Sequence, residues 1–229
     1  MAGIINSLER ATTVVNLVDN LRSKIINQEY QSGEAVTESA LAQEFGISRG
    51  SVRTALQALE NEGIIVTLPN GRKQVMGINE KYLDDLYNTR KVIECEAARQ
   101  ILSMKQVDFS EMAGFVSKFR EIASAEQEVM RDERTRVNMQ FHRSLIGMSR
   151  NRPLFKCWNT IEPMIGALIK FNSDTLIVET HIDDYVVSHS KILEMFLAQD
   201  PDVIDYLVYH TYDAPHRDTL KGLKSKGCL

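Results

Sequence analysis

From Val14 to Ile26 the apolar residues Val14, Leu17, Val18, Leu21 and Ile25 recur at the spacing of one helix face, and the polar stretch Gln28 to Gly33 then breaks the pattern. A shorter periodic group, Leu41, Ala42 and Phe45, follows Thr37, whose hydroxyl suits an N-cap, and precedes Gly46, which tolerates the left-handed conformation that ends a helix. Ser48 then caps a third helix with Val52, Ala55, Leu56 and Leu59 on one face and Gly63 as its stop. Beyond Gly63 the period changes. Ile64 to Leu68 and Gln74 to Met76 are β-like runs, and the Asn70-Gly71 pair between them predicts a hairpin.

After Asn79 no comparable strand signal occurs, and long amphipathic stretches succeed one another. They are marked by Leu83, Leu86, Ile93, Ala97 and Ile101; by Phe109, Met112, Val116, Phe119 and Ile122; by Val137, Phe141, Leu145 and Met148; and by Leu154, Trp158, Ile161, Ile165 and Leu168, with a kink expected at Pro163. A fifth runs from about Asp183 to Ala198, and Asp200-Pro201 opens a last helix through Val203, Ile204, Leu207 and Val208, with a frayed tail from Lys221. The fold expected is mainly α: a winged helix-turn-helix with a small hairpin wing over residues 1–78, and an antiparallel all-α bundle of six to seven helices over 79–229.

Composition narrows the class without naming a function. The 229 residues are 43% apolar and 25% charged, as in ordinary globular proteins, and no apolar run reaches the roughly 18 residues of a membrane span. A cytoplasmic location without a membrane partner is expected. Cys95, Cys157 and Cys228 are too few and too scattered for a disulfide framework or a Cys-based zinc motif. The formal net charge of −4 argues, taken alone, against an anionic partner.

The distribution of charge reverses that argument. Residues 1–80 hold seven basic and nine acidic residues, yet four of the cations fall at the start of the third helix or between the β-like runs. Burying Val52, Leu56 and Leu59 turns Arg49, Gly50, Ser51 and Arg53 outward in the first turns, where a recognition helix meets base edges and phosphates. Gly50 permits close backbone approach, and Asn70, Arg72 and Lys73 place cations at a wing tip beside the duplex. Weak non-specific binding that salt readily reverses is expected of such a domain.

The run from Glu38 to Leu56, with Leu59-Glu60 and Glu62-Gly63 after it, resembles the N-terminal domain of the GntR family of bacterial transcription regulators. The resemblance implies operator contacts by Arg49, Ser51 and Arg53, with Gly50 in place of a usual Thr, and a wing contact at Asn70 or Arg72; Ser39 stands where the family often has a further Arg. The second half is similar to the helical FCD-type effector domain of the FadR subgroup, on Arg90 and Glu94, Asn138, Phe141-His142, the Asn151-Pro153-Leu154 break, and His189 with Ile192-Leu193. That resemblance implies a homodimeric regulator, usually a repressor, on double-stranded operator DNA, answering to a small organic acid held near Arg90, Glu94, Asn138, His142 and His189.

It also implies a divalent metal, zinc or a similar ion, on an Asp and three His. Here Asn138 replaces the Asp and offsets none of the ion's charge, His142 and His189 are in place, and Thr211 stands where the last His is expected, with His210 one position early. Counting from Val203, Thr211 falls at about 80°, central to the buried stripe, and His210 at about −20°, at its edge. His210 therefore reaches the interior only if the helix rotates or the preceding turn is shortened. His181 and His216 read as surface or helix-end residues. Arg90 sits on the inward face of its helix, either paired with Glu94 or clamping an effector carboxylate. A competing class is an all-helical metalloenzyme with His142, His189 and His210 as ligands and Glu94 as general base, which leaves the winged helix unexplained and lacks a second acidic cluster. A third is an architectural DNA-binding protein without a ligand.

Overall fold

The computed structural model describes residues 2–123, 131–175 and 182–229, and divides them into two compact units: residues up to 79 with Cys228 and Leu229, and residues 80–227. The first unit is built from α1 (Ala2–Ile26), β1 (Ala35–Val36), α2 (Glu38–Phe45), α3 (Arg49–Asn61), β2 (Ile65–Thr67) and β3 (Lys73–Val75). α1 starts well before the expected Val14, and Leu17, Val18, Leu21 and Ile25 form its buried stripe against α3.

The local signals operate as read. Thr37 Oγ1 accepts the Ala40 N–H, Ser48 Oγ accepts the Ser51 N–H, and Gly46 closes α2 at φ +64°, a backbone angle that strains any residue with a Cβ. Val52, Ala55, Leu56 and Leu59 are fully buried; each leucine contributes roughly 1.5–3 kcal/mol relative to leaving it exposed. Buried Arg22 of α1 grips Glu62 at the end of α3 through Nε and Nη2, both at 2.7 Å.

The wing differs in two respects from the expected hairpin. It is a three-stranded antiparallel sheet in the order β1-β3-β2, with Val36 opposite Lys73 and Val66 opposite Gln74. Its tip is not a two-residue Asn-Gly turn: Gly71 N–H donates to the Leu68 carbonyl, Gly71 takes φ +79°, and Leu68 N–H donates to the Arg72 carbonyl. Pro69 presets the first central position of such a turn, and Gly71 supplies the left-handed bulge after it.

The second unit contains α4 (Glu80–Leu102), α5 (Ser110–Ala123), α6 (Arg131–Met148), α7 (Arg152–Thr175), α8 (Ile182–Leu197), α9 (Val203–Val208), a π-helical turn (Tyr209–Asp213) and α10 (Ala214–Ser225). α6 lies between α4, α5 and α7, and α8 packs on α5, so the middle of α6 is enclosed; Phe141, His142 and Leu145 have no exposed surface. α7 runs unbroken through Pro163. The tail is not frayed at Lys221, because α10 continues to Ser225 and buries Leu223. His181 lies outside the described residues.

Candidate functional site

Two sites emerge, one in each unit. In the first, α3 presents Arg49, Gly50 and Arg53 to solvent beside its capped N-terminus, whose unpaired N–H groups favour anions. A Cβ at Gly50 would meet nothing nearer than Ser48 Oγ at 3.8 Å, so the fold itself leaves this position free. Ser51 corrects the sequence reading: it is buried, and its hydroxyl lies 3.0 Å from Ser48 Oγ within the cap instead of facing outward. Asn70 and Arg72 are at the exposed tip, but Asn70 Oδ1 accepts the Arg72 N–H and so shapes the turn. Lys73 is a second correction. It belongs to β3, is half-buried, and donates to Glu60 Oε2 and Thr67 Oγ1, both at 2.8 Å.

Two acids stand directly beside these cations. Glu38, on α2, takes both arms of the Arg53 guanidinium, Nε to Oε1 at 2.7 Å and Nη2 to Oε2 at 2.8 Å, while Glu60 holds Lys73. The Arg53 hydrogen bonds hold the Glu38 carboxyl below its ordinary range, and those of Lys73 and Thr67 do the same for Glu60. The sequence reading missed both acids because each is separated from its cation by 15 or 13 residues and lies on a different element.

In the second unit, His142 (α6), His189 (α8) and His210 (π-helical turn) converge with their ligand nitrogens all within 4.8 Å of one another, so the rings would draw together by up to about 1.5 Å to hold one tetrahedral ion at Zn–N bonds of about 2.0–2.1 Å. His210 arrives there by rotation of the helix: Val203 and Leu207, near 0° and about 40°, are fully buried while Ile204 and Val208, near about 100° and 140°, are half-buried, so the inward face lies close to His210. A π turn is wider than an α turn, so each residue advances by less than about 100°, and His210 and Thr211 both face inward. Thr211 spends its hydroxyl on the Leu207 carbonyl at 2.8 Å.

Partners behind the rings fix their tautomers. His142 Nδ1 donates to Glu94 Oε2 and His189 Nδ1 to the Tyr185 carbonyl, each at 2.7 Å, which leaves Nε2 of both rings as lone pairs. His142 Nε2 is buried without a hydrogen-bond partner. The Asn138 amide meets His189 Nε2 at 2.9 Å and suits either state, N–H toward a bare lone pair or oxygen toward an ion. Such a donor set fits a divalent cation.

Arg90 makes the internal pair of its first sequence reading and keeps one nitrogen free of it. Its Nε donates to Glu94 Oε1 at 2.7 Å, whereas Nη1 is buried without a partner. Glu94, expected among the effector contacts, has its two oxygens engaged by Arg90 and His142 and does not line the cavity beside them. That cavity measures about 430 Å³, within the usual range for small-ligand sites, and opens between Arg90, Asn138, His142, Asn172, Tyr185 and His210. Asn172 donates to Thr219 Oγ1 and leaves Oδ1 buried and unpaired; a polar residue on the apolar stripe of α7 was the signal that could have found it. A hollow of about 620 Å³ beside Ile101, Phe109 and Phe196 has, among the described residues, no buried unpaired polar atom on its wall. His216 is a helix-end residue in the first turn of α10, half-buried and paired with Asp84 at 2.7 Å.

Burial holds all three histidines below their ordinary value of 6.5, against Glu94 at His142 and reinforced by the neighbouring ring at His189 and His210. Burial raises the Glu94 carboxyl, but His142 and Arg90 outweigh it and keep it well below the usual carboxylate range. Three depressed histidines make the unfolded chain the first to take up protons as pH falls. Stability should be full above about pH 6.5 and decline below it, by up to about 1.4 kcal/mol per pH unit for each ring, until pH falls through the folded values. Urea midpoints of chelator-treated protein between about pH 7.5 and about pH 5.5 check this, and a constant midpoint would contradict neutral buried rings.

Both units are similar to known protein domains. Residues 13–75 match the family "Bacterial regulatory proteins, gntR family", and residues 85–213 match the FCD domain. The chain is 26% identical over 209 residues to the gluconate operon transcriptional repressor of Bacillus licheniformis, covering 90% of this chain and 84% of that protein. It is 28% identical over 159 residues to the Nta operon transcriptional regulator of Aminobacter aminovorans, covering 69% and 74%. Among solved structures, the Listeria monocytogenes protein Lar superposes with a TM-score of 0.66 at 15% identity, over 91% of this chain and 96% of that one, a likeness of fold.

Proposed function

The chain belongs to the gntR family of bacterial regulatory proteins and carries an FCD domain, which makes it a DNA-binding transcription regulator and not an enzyme, and we propose that it represses an operon for sugar-acid use as an effector-released homodimer. The observation that carries the effector is the buried, unpaired Arg90 Nη1 beside a cavity that also offers the unpaired acceptor Asn172 Oδ1. A carboxylate satisfies the first and a hydroxyl the second, which together describe a hydroxylated acid. The gluconate repressor among the relatives points to the same class. His142, His189 and His210, with the Asn138 amide, would hold a divalent ion, which supplies a positive charge attracting the carboxylate. Glu94 positions this set by fixing the His142 ring and the Arg90 guanidinium.

On the DNA side, Arg49, Arg53 and Arg72 are the reading and phosphate-binding groups, and Gly50 gives the backbone room to approach. Palindromic selection tests the whole reading. Duplexes enriched from a random pool should contain an inverted repeat, and D-gluconate or a related acid should release the protein from them; a pool without enrichment at low salt would overturn it. Glu38→Gln should free Arg53 and raise affinity for unselected duplex about two- to fivefold, measured by anisotropy at low salt. Unchanged affinity would mean that Glu38 does not compete with phosphate for Arg53.

A further inference from the structure

The groups around the histidine cluster do not balance a doubly charged ion. The three rings and the Asn138 amide are neutral donors, and Arg90 and Glu94 cancel each other. Glu94 cannot be recruited, since Oε1 is held by Arg90 and Oε2 by His142. Among the described residues, the other acids on the cavity wall are Asp184, which is exposed, and Asp218, which faces Arg217. An ion entering alone would therefore place an uncompensated double charge where His142 and His189 have no exposed surface, and buried charge is costly unless paired. A carboxylate entering alone would meet Arg90 Nη1 but also the bare lone pair of His142 Nε2, which repels it. Each ligand removes the other's penalty.

We propose that a divalent cation and a carboxylate load this cavity as a coupled pair, each raising the affinity for the other, because Asn138 gives the ion no charge and the incoming acid supplies the missing anion. The inference rests on the metal site of the proposed function and adds its regulation: the protein responds to metal and acid jointly and only weakly to either alone. The hydrogen-bonding cation at Arg90 takes the part of the carboxylate that does not face the ion.

The test uses full-length, chelator-treated protein titrated with Zn²⁺ against a chromogenic chelator, with and without saturating acetate or D-gluconate, corrected for the acid's own Zn²⁺ binding. Zn²⁺ affinity should rise about tenfold or more with acid, and by reciprocity acid affinity should rise by the same factor with Zn²⁺. Asn138→Asp, nearly isosteric, should raise Zn²⁺ affinity without acid by about tenfold and reduce the coupling to less than about threefold. Equal Zn²⁺ affinity with and without acid overturns the coupling and leaves the metal site standing, as does an Asn138→Asp protein that folds but gains no affinity. Zn²⁺ binding that survives His142→Ala, or no Zn²⁺ binding under any condition, removes the metal site and the coupling with it. The wild-type titration needs no variant to fold.

Discussion

Replacing Glu94 with alanine should destabilise the second unit by about 3–5 kcal/mol, because it strands Arg90, which is 1% exposed, as a buried charge without its anion. For a unit near 150 residues this lowers the melting temperature by roughly 6–20 °C. The loss comes mostly from the abandoned partner, not from the net worth of the ion pair, so a double replacement that removes both charges should behave differently. Arg90→Met with Glu94→Leu should recover much of the deficit while leaving His142 Nδ1 without its acceptor. The double variant should also lose acid binding, since the free Nη1 goes with Arg90. Calorimetry on the three proteins, with a sugar acid present and absent, separates the two roles. A single variant that melts with the wild type would mean that the Arg90–Glu94–His142 chain carries no stability.

Which parts of this arrangement could be read from sequence follows from the range of the interactions concerned. Thr37, Gly46 and Ser48 act on backbone groups within three or four residues, so their roles were legible, and so were the helix faces set by Leu56 or Leu83. The two-residue strand Ala35–Val36 was not, because so short a segment has no period and exists only by pairing with Gln74 and Lys73. Ser51 was placed outward by counting around a helix that its own cap hydrogen bond defines. Resemblance supplied Asn138, His142 and His189, and the two rings are buried and converge with His210; which of its two routes His210 takes was left open by the sequence. A π turn leaves no local mark, since its inserted residue is held by the packing of Thr211 and the ring cluster, which the chain assembles only on folding.

Arg49→Ala with Arg53→Ala should abolish sequence-specific DNA binding, and the size of the loss follows from geometry and symmetry. One bidentate arginine contact to guanine discriminates by roughly 10- to 100-fold, and a phosphate contact weakens binding to all sequences about equally. Both residues sit in the first two turns of α3, four apart and so on one face of the helix, and the proposed homodimer would present the pair twice. Losses on two half-sites multiply, so the double variant should fall to the level of unselected duplex. The two arginines differ in how they begin. Arg53 is held by Glu38 and arrives pre-oriented, which suits directional base reading, whereas Arg49 enters none of the described side-chain hydrogen bonds or ion pairs and can follow a phosphate. Arg53→Ala alone should therefore relax sequence preference at one position of each half-site, while Arg49→Ala should lower affinity across sequences and reduce the salt slope by about one per half-site. Anisotropy titrations over a salt series, on the selected palindrome and on single-base variants, read both quantities. An Arg53→Ala protein that keeps full discrimination would move base reading to another residue of α3 and make the Glu38 clamp a purely structural contact.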